Sequence, residues 1–212
     1  MEKPVIILCA WSEINVLTLP ALMVNIDKHK PKKIGSVSSL AAVAQADAQI
    51  LILGSMPGEL SLARQQYYAH PSNAFWKIMA NLFDFNPDDN YADRLLALQQ
   101  HKLALWDVIQ SCERQGSLDS HISNASIISN NFVHFFQQHQ QIKHIFFNGS
   151  RAYQEYHKRV MPQLSESWQS LTCTRLPSTS PAMASLRFEQ KLIVWSEIKQ
   201  VHKSMNFFEK QG

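Results

Sequence analysis

Cysteine is scarce in this chain: Cys9, Cys112 and Cys173 are the only three in 212 residues. They form no C-x-x-C pair, which argues against a zinc ribbon. Three thiolates cannot hold a four-cysteine iron–sulfur cluster within one chain. Free thiols in a reducing cytoplasm are the simplest expectation. Long apolar runs are missing too. VIILCAW at 5–11 is flanked by Glu2 and Glu13, and Pro20 interrupts the next stretch, so no segment is long enough to span a bilayer. A secretion signal would carry basic residues ahead of that apolar run. There is no H-E-x-x-H among the nine histidines, and His134 and His139 are spaced for different faces of a helix, so no metal site is expected. The Gly-Lys-Ser/Thr ending of a P-loop and the G-x-S-x-G of a nucleophile elbow are both absent.

What is present is ordinary in bulk: 45% hydrophobic residues, 17% charged, a formal charge of +3 and a pI of about 8.7. That mild basicity is compatible with an anionic partner without requiring one. The basic run KHKPKK at 28–33 reads as a solvated linker around Pro31. It separates an N-terminal extension, residues 1–32, from a domain expected over 33–212.

Within that domain, continuous apolar runs end in turn residues. These are QILILG at 49–54, LALWDVI at 103–109 and IKHIFFNG at 142–149, followed by the β-branched SLTCTRL at 170–176. Such runs suit strands covered on both faces. Helical text lies between them, and a long C-terminal helix comes last. Alternation of this kind predicts an α/β domain with parallel crossovers. Ligands in such sheets sit beyond the strands' carboxyl ends. Chemistry is therefore expected in GSMPGELSL, WDVIQSCERQGSLDS, NGSRA and LPSTSPA, read as four post-strand loops.

The stretch YYAHPSNAFWKIM at 67–79 extends the first loop. Phe75, Trp76 and Met79 share a helix face and suit the core, whereas Tyr67 and Tyr68 precede that helix. A loop aromatic beside a pocket can stack on a nucleobase, an interaction of roughly 1–3 kcal/mol. Asn73 stands at the helix start, where its side chain has two open roles: capping the helix, or orienting water or a ring edge. LPSTSPA reads equally as a Ser/Thr/Pro turn or as a phosphate-gripping loop.

Taken in order, GSMPG, QQYYAHPSNAFW, LWDVIQSCERQGSLDS, FNG and LPSTSPA resemble the uracil-DNA glycosylase superfamily, and within it the hypoxanthine branch, the DNA-deoxyinosine glycosylases. The resemblance runs from about Lys33 to about His202. It implies a three-layer α/β/α sandwich around a short, mainly parallel central sheet. It also implies a monofunctional enzyme that flips a deaminated nucleotide out of DNA and hydrolyses its N-glycosidic bond. No metal and no organic cofactor are implied, and the enzyme would act as a cytoplasmic monomer. Asn73 falls where the hypoxanthine branch supports catalysis, and Tyr68 where an aromatic ring stacks on the flipped base. Asp107 falls where the pyrimidine edge is read. Gly54, Ser55, Met56 and Gly58 form the base-binding first loop, and Ser178, Thr179, Ser180 and Met183 the phosphate and wedge loop.

Three positions depart from relatives. Met56 replaces the residue that positions water, Leu176 replaces one that stabilises the leaving base, and Ser180 stands where some relatives carry an apolar wedge. These departures place the burden on Asn73 and nominate Met183 as plug. Release of uracil, and lesion binding without catalysis, are the alternative readings.

Overall fold

The structure is a computed structural model and describes residues 35–209. The expected extension over 1–32 lies outside the described residues. Seven strands occur among them: β1 Gly35–Ser38, β2 Ile50–Gly54, β3 Leu103–Asp107, β4 Ile109–Arg114, β5 Ile128–Ser129, β6 His144–Asn148 and β7 Thr172–Leu176. The helices are α1 Glu59–Arg64, α2 Phe75–Phe83, α3 Tyr91–Gln100, α4 Phe132–Gln138, α5 Ser150–Glu155, α6 Glu166–Gln169 and α7 Phe188–Glu209.

The central sheet has the order β3-β2-β6-β7 and is parallel throughout. Side chains alternate across a pleated strand, and here each side meets helices. Ile50, Ile52, Leu103, Leu105 and Phe146 pack with Phe75, Ile78 and Met79 of α2, Leu98 of α3, and Trp195 and Ile198 of α7. Leu51, Leu53, Ala104, Ile145 and Phe147 face the other way, onto Phe132, Phe135 and Phe136 of α4 and Ala152 of α5. The expected three-layer α/β/α sandwich is the observed one. Continuous apolar runs were the right signal for β2 and β6, whose residues are buried on both faces.

One segment differs from expectation. The stretch after Trp106, read as a loop, contains β4. It pairs antiparallel with β1 and β5 in a second, three-stranded sheet. The register shifts between Ile109 and Ser111, so an inside–outside alternation does not run cleanly through IQSCER. Such an irregularity hides a strand from pattern reading. Its inward residues, Ile109 and Cys112, join Met56, Ile122 and Ile127 in a small satellite core.

Two tryptophans fix loops to this frame. Trp76 Nε1 donates to the Tyr67 carbonyl at 2.9 Å, and Trp195 Nε1 donates to the Pro177 carbonyl at 2.9 Å. Buried indole N–H groups need such acceptors, and both acceptors lie in segments that border the strands' carboxyl ends. No described helix is long and apolar enough to cross a membrane.

Candidate active site

β2, β3 and β6 end at Gly54, Asp107 and Asn148, and all three residues open onto one cavity of about 790 Å³. The loop over 54–61, Tyr68, Asn73, the segment 117–120 and the loop over 178–183 complete its walls. A shallower groove of about 450 Å³ involves Phe83, His101 and His202. It lies away from those strand ends and gathers none of the residues singled out in the sequence.

Asp107 forms the floor. It is 3% exposed, and its Oδ2 accepts from Ser39 Oγ at 2.9 Å. Burial pushes its carboxyl up to about 7, against the pull of the Ser39 hydroxyl. The Asp119 charge adds to the rise and Arg114 opposes it. Gly54 makes room for this group: a Cβ there would lie 2.3 Å from Asp107 Oδ1 and 3.1 Å from the Tyr68 hydroxyl. Gly54→Ala must therefore displace the carboxylate, and overpacking of this kind costs roughly 1–3 kcal/mol. A lower urea midpoint is the expected outcome, and an unchanged midpoint would contradict the contact.

Tyr68 adopts a left-handed backbone, φ 53°, a conformation costing a non-glycine residue roughly 1–3 kcal/mol. One ring face lies on Phe75, centroids 4.0 Å apart. The ring keeps part of its surface open, while its hydroxyl is buried. Burial and the neighbouring Asp107 charge raise that phenol, with the Asn148 amide acting the other way. Tyr67 behaves differently. It is 3% exposed, its hydroxyl donates to the Ala41 carbonyl at 3.1 Å, and it belongs to the core that supports the cavity. Of the two loop tyrosines, only Tyr68 keeps an open ring surface.

Asn73 lies half-buried on the wall. α2 begins two residues later with Ala74 as its cap, and Asn73 Oδ1 accepts from the Phe75 N–H at 3.0 Å. The capping role therefore engages the carbonyl oxygen and leaves the Nδ2 donor for the cavity. Metals have no grouped ligands here: among the described residues, no three His, Cys, Asp or Glu side chains cluster to hold an ion.

The first loop is held from beneath and from the side. Met56 is 6% exposed, packed into the satellite core. The buried Arg114 donates through Nη2 to the Pro57 carbonyl. Ser117 Oγ accepts from the Glu59 N–H at 2.9 Å, and a Cβ at Gly58 would press on that serine. Ser55 Oγ donates to Asp119, 2.8 Å from Oδ1 and 3.0 Å from Oδ2. Sequence reasoning assigned Asp119 no role, although it stands within GSLDS. An acidic residue flanked by small polar ones, after a strand, was the available signal.

Asn148 also had no role assigned from the sequence. Its Nδ2 donates to Thr179 Oγ1 at 2.8 Å and its Oδ1 accepts from the Thr179 N–H at 2.8 Å. Thr179 is thereby clamped and 1% exposed, so it shapes the loop rather than offering an open hydroxyl. Ser178 and Ser180 accept from backbone N–H groups two residues on, each at 3.2 Å, in successive local turns. Gly149 approaches this loop with φ 101°, where a Cβ would meet Ser178 Cβ at 3.1 Å. Met183 is exposed at the rim. Leu176, by contrast, is buried in the core at 1% exposure.

A profile of the Uracil DNA glycosylase superfamily matches residues 41–199. The chain belongs to the uracil-DNA glycosylase superfamily. The match spans the four parallel strands and every residue placed around the cavity. Two similar proteins from Methanosarcina are named hypoxanthine DNA glycosylase. The one from M. barkeri is 36% identical over 111 residues, covering 52% of this chain and 69% of that protein. The one from M. acetivorans is 37% identical over 112 residues, covering 52% and 70%. A solution NMR structure from M. acetivorans, of a protein provisionally named a uracil DNA glycosylase, is 30% identical. It superposes with a TM-score of 0.66 across 80% of this chain and 99% of its own.

Proposed function

We propose that this superfamily member is a monofunctional DNA glycosylase that excises hypoxanthine from deoxyinosine in DNA during base-excision repair. The single observation that carries the substrate is Asp107: a buried carboxylate at the cavity floor with Oδ2 bonded to Ser39 and Oδ1 beside Gly54. Once ionised, above its raised pKa of about 7, that carboxylate accepts from the N1–H of hypoxanthine, whereas adenine presents a lone pair there, so the normal base is disfavoured. The names of the two Methanosarcina relatives support the same base.

The glycosidic carbon is shielded inside a duplex, so the nucleotide must leave the stack. Tyr68 offers its open ring surface to the flipped base. Asn73 offers amide N–H donors to the leaving base or to water, and the backbone amides of Gly54–Gly58 face the charge that develops as the base departs. Ser178 and Ser180 with their loop amides meet the phosphates, on a loop that Thr179 holds in shape, and Met183 fills the vacated stack. The enzyme works as a cytoplasmic monomer, with no metal or organic cofactor in its chemistry.

The test is single-turnover release of free base, in EDTA, from duplexes carrying deoxyinosine, deoxyuridine or deoxyxanthosine. Hypoxanthine should leave fastest. Faster uracil release would reassign the substrate, and salt-sensitive binding with no release of any base would make the protein a lesion binder instead.

A further inference from the structure

The site has a reader for the base but no assigned group to take a proton from water. Met56 stands in the first loop, along the cavity wall. It is apolar and buried among Ile109, Cys112, Ile122 and Ile127. Asn73 spends its carbonyl oxygen on the Phe75 N–H, and a neutral amide is no proton acceptor at ordinary pH. Asp107, at the floor, is committed to the base edge in the reading proposed above.

We infer that Asp119 is the general base of this glycosylase, with Ser55 fixing its carboxylate toward the attacking water. The inference rests on the glycosylase reading above. Asp119 sits in the short turn Asp119–His121 after β4 and lines the same cavity as Asn73, Asp107 and Tyr68. The Ser55 hydroxyl spans both its oxygens at 2.8 and 3.0 Å. One hydroxyl cannot saturate a carboxylate, which has about four lone-pair sites, so acceptor capacity remains for a water. Ser55 immediately follows the strand that ends at Gly54, so the carboxylate is anchored to the sheet and not to its own loop alone.

The second support is Arg114. It is 3% exposed, it bonds the Pro57 carbonyl, and its Nε and Nη1 have no hydrogen-bond partner among the described residues. Its charge favours the ionised form of Asp119 without occupying the carboxylate oxygens. Two carboxyls in one cavity can then divide the work, one reading the base and the other accepting a proton.

In the step, the water oxygen forms a bond to C1′ while the C1′–N9 bond breaks and its electron pair leaves with hypoxanthine. The water's proton passes to an Asp119 oxygen and then to solvent. The hypoxanthine anion takes a proton from solvent, leaving free base and an abasic sugar. An ionised Asp119 also opposes the positive charge that builds on the sugar.

The groups that act on Asp119 are Ser55, Arg114 and Arg151, all favouring its ionised form against burial, with Asp107 and Cys112 close by. Base release should therefore rise with pH as Asp119 ionises, above the usual carboxylate range. Asp119→Asn should lower the single-turnover rate roughly 100-fold, retain affinity for deoxyinosine duplex, and leave in the pH–rate profile only the limb near pH 7 that belongs to Asp107. Ser55→Ala should move the Asp119 limb to higher pH, because the hydroxyl stabilises the ionised form. A near wild-type rate in Asp119→Asn, or a pH–rate profile unchanged there, overturns the inference. Should that variant fail to fold, an unshifted Asp119 limb in Ser55→Ala does so. Absence of hypoxanthine release by the wild type overturns the glycosylase reading itself, so the two failures are distinguishable.

Discussion

Asn73→Ala should lower single-turnover hypoxanthine release by roughly 100- to 1000-fold, the usual effect of removing one donor aimed at developing charge. Two effects are mixed in that variant. Asn73 Oδ1 accepts the Phe75 N–H at 3.0 Å, and deleting a cap of this type costs about 1 kcal/mol of stability. Asn73→Asp separates them. Aspartate keeps an acceptor for the Phe75 N–H and an almost unchanged shape, but it has no N–H to donate and adds negative charge beside a departing anion. It should fold with a wild-type urea midpoint and be at least as inactive as the alanine variant. Retention of activity in Asn73→Asp would reduce Asn73 to a helix cap.

Asp107 should make the protein less stable as pH rises, the reverse of the usual behaviour of an acidic residue. Burial lifts its carboxyl from 3.8 to about 7. Between those values the folded protein keeps a proton that the unfolded chain has released, so the unfolding free energy falls with increasing pH. At about 1.4 kcal/mol per unit, the decline reaches roughly 4 kcal/mol and levels off above pH 7. Asp107→Asn retains an acceptor for Ser39 and removes the titration. Urea unfolding of both proteins at pH 4.5 and pH 8 should show the variant gaining on the wild type by most of that amount. A pH-independent difference would mean that the carboxyl is not desolvated. The same variant should lose discrimination between hypoxanthine and adenine, because an amide can present either a donor or an acceptor to the base.

That a buried carboxylate is kept at such a cost to stability fits the general conflict between a functional site and a well-satisfied interior. It also explains what was legible in the sequence. The parallel strands were plain because ILILG and HIFFN are apolar on both faces. The second sheet was not, since β1 is GSVS, β5 is two residues, and Gly35 finds Arg114 only through long-range pairing. Tyr68, Asn73 and Asp107 could be nominated because each stands within a motif at a strand end or helix start. Asp119 and Asn148 could not, because their meaning comes from partners elsewhere: Ser55 is 64 positions from Asp119, and Thr179 is 31 from Asn148. Local text shows what a residue can do, and only the fold supplies its counterpart.

One backbone contact ties these parts together. The Ala74 N–H donates to the Thr179 carbonyl at 3.0 Å, joining the residue after Asn73 to the loop assigned to the DNA strand. On the proposed reading, any displacement of that loop by a bound duplex is geared directly to the amide that meets the base. Searching along DNA and committing to a lesion then share one pivot, and a strand seated out of place leaves the enzyme mechanically disengaged.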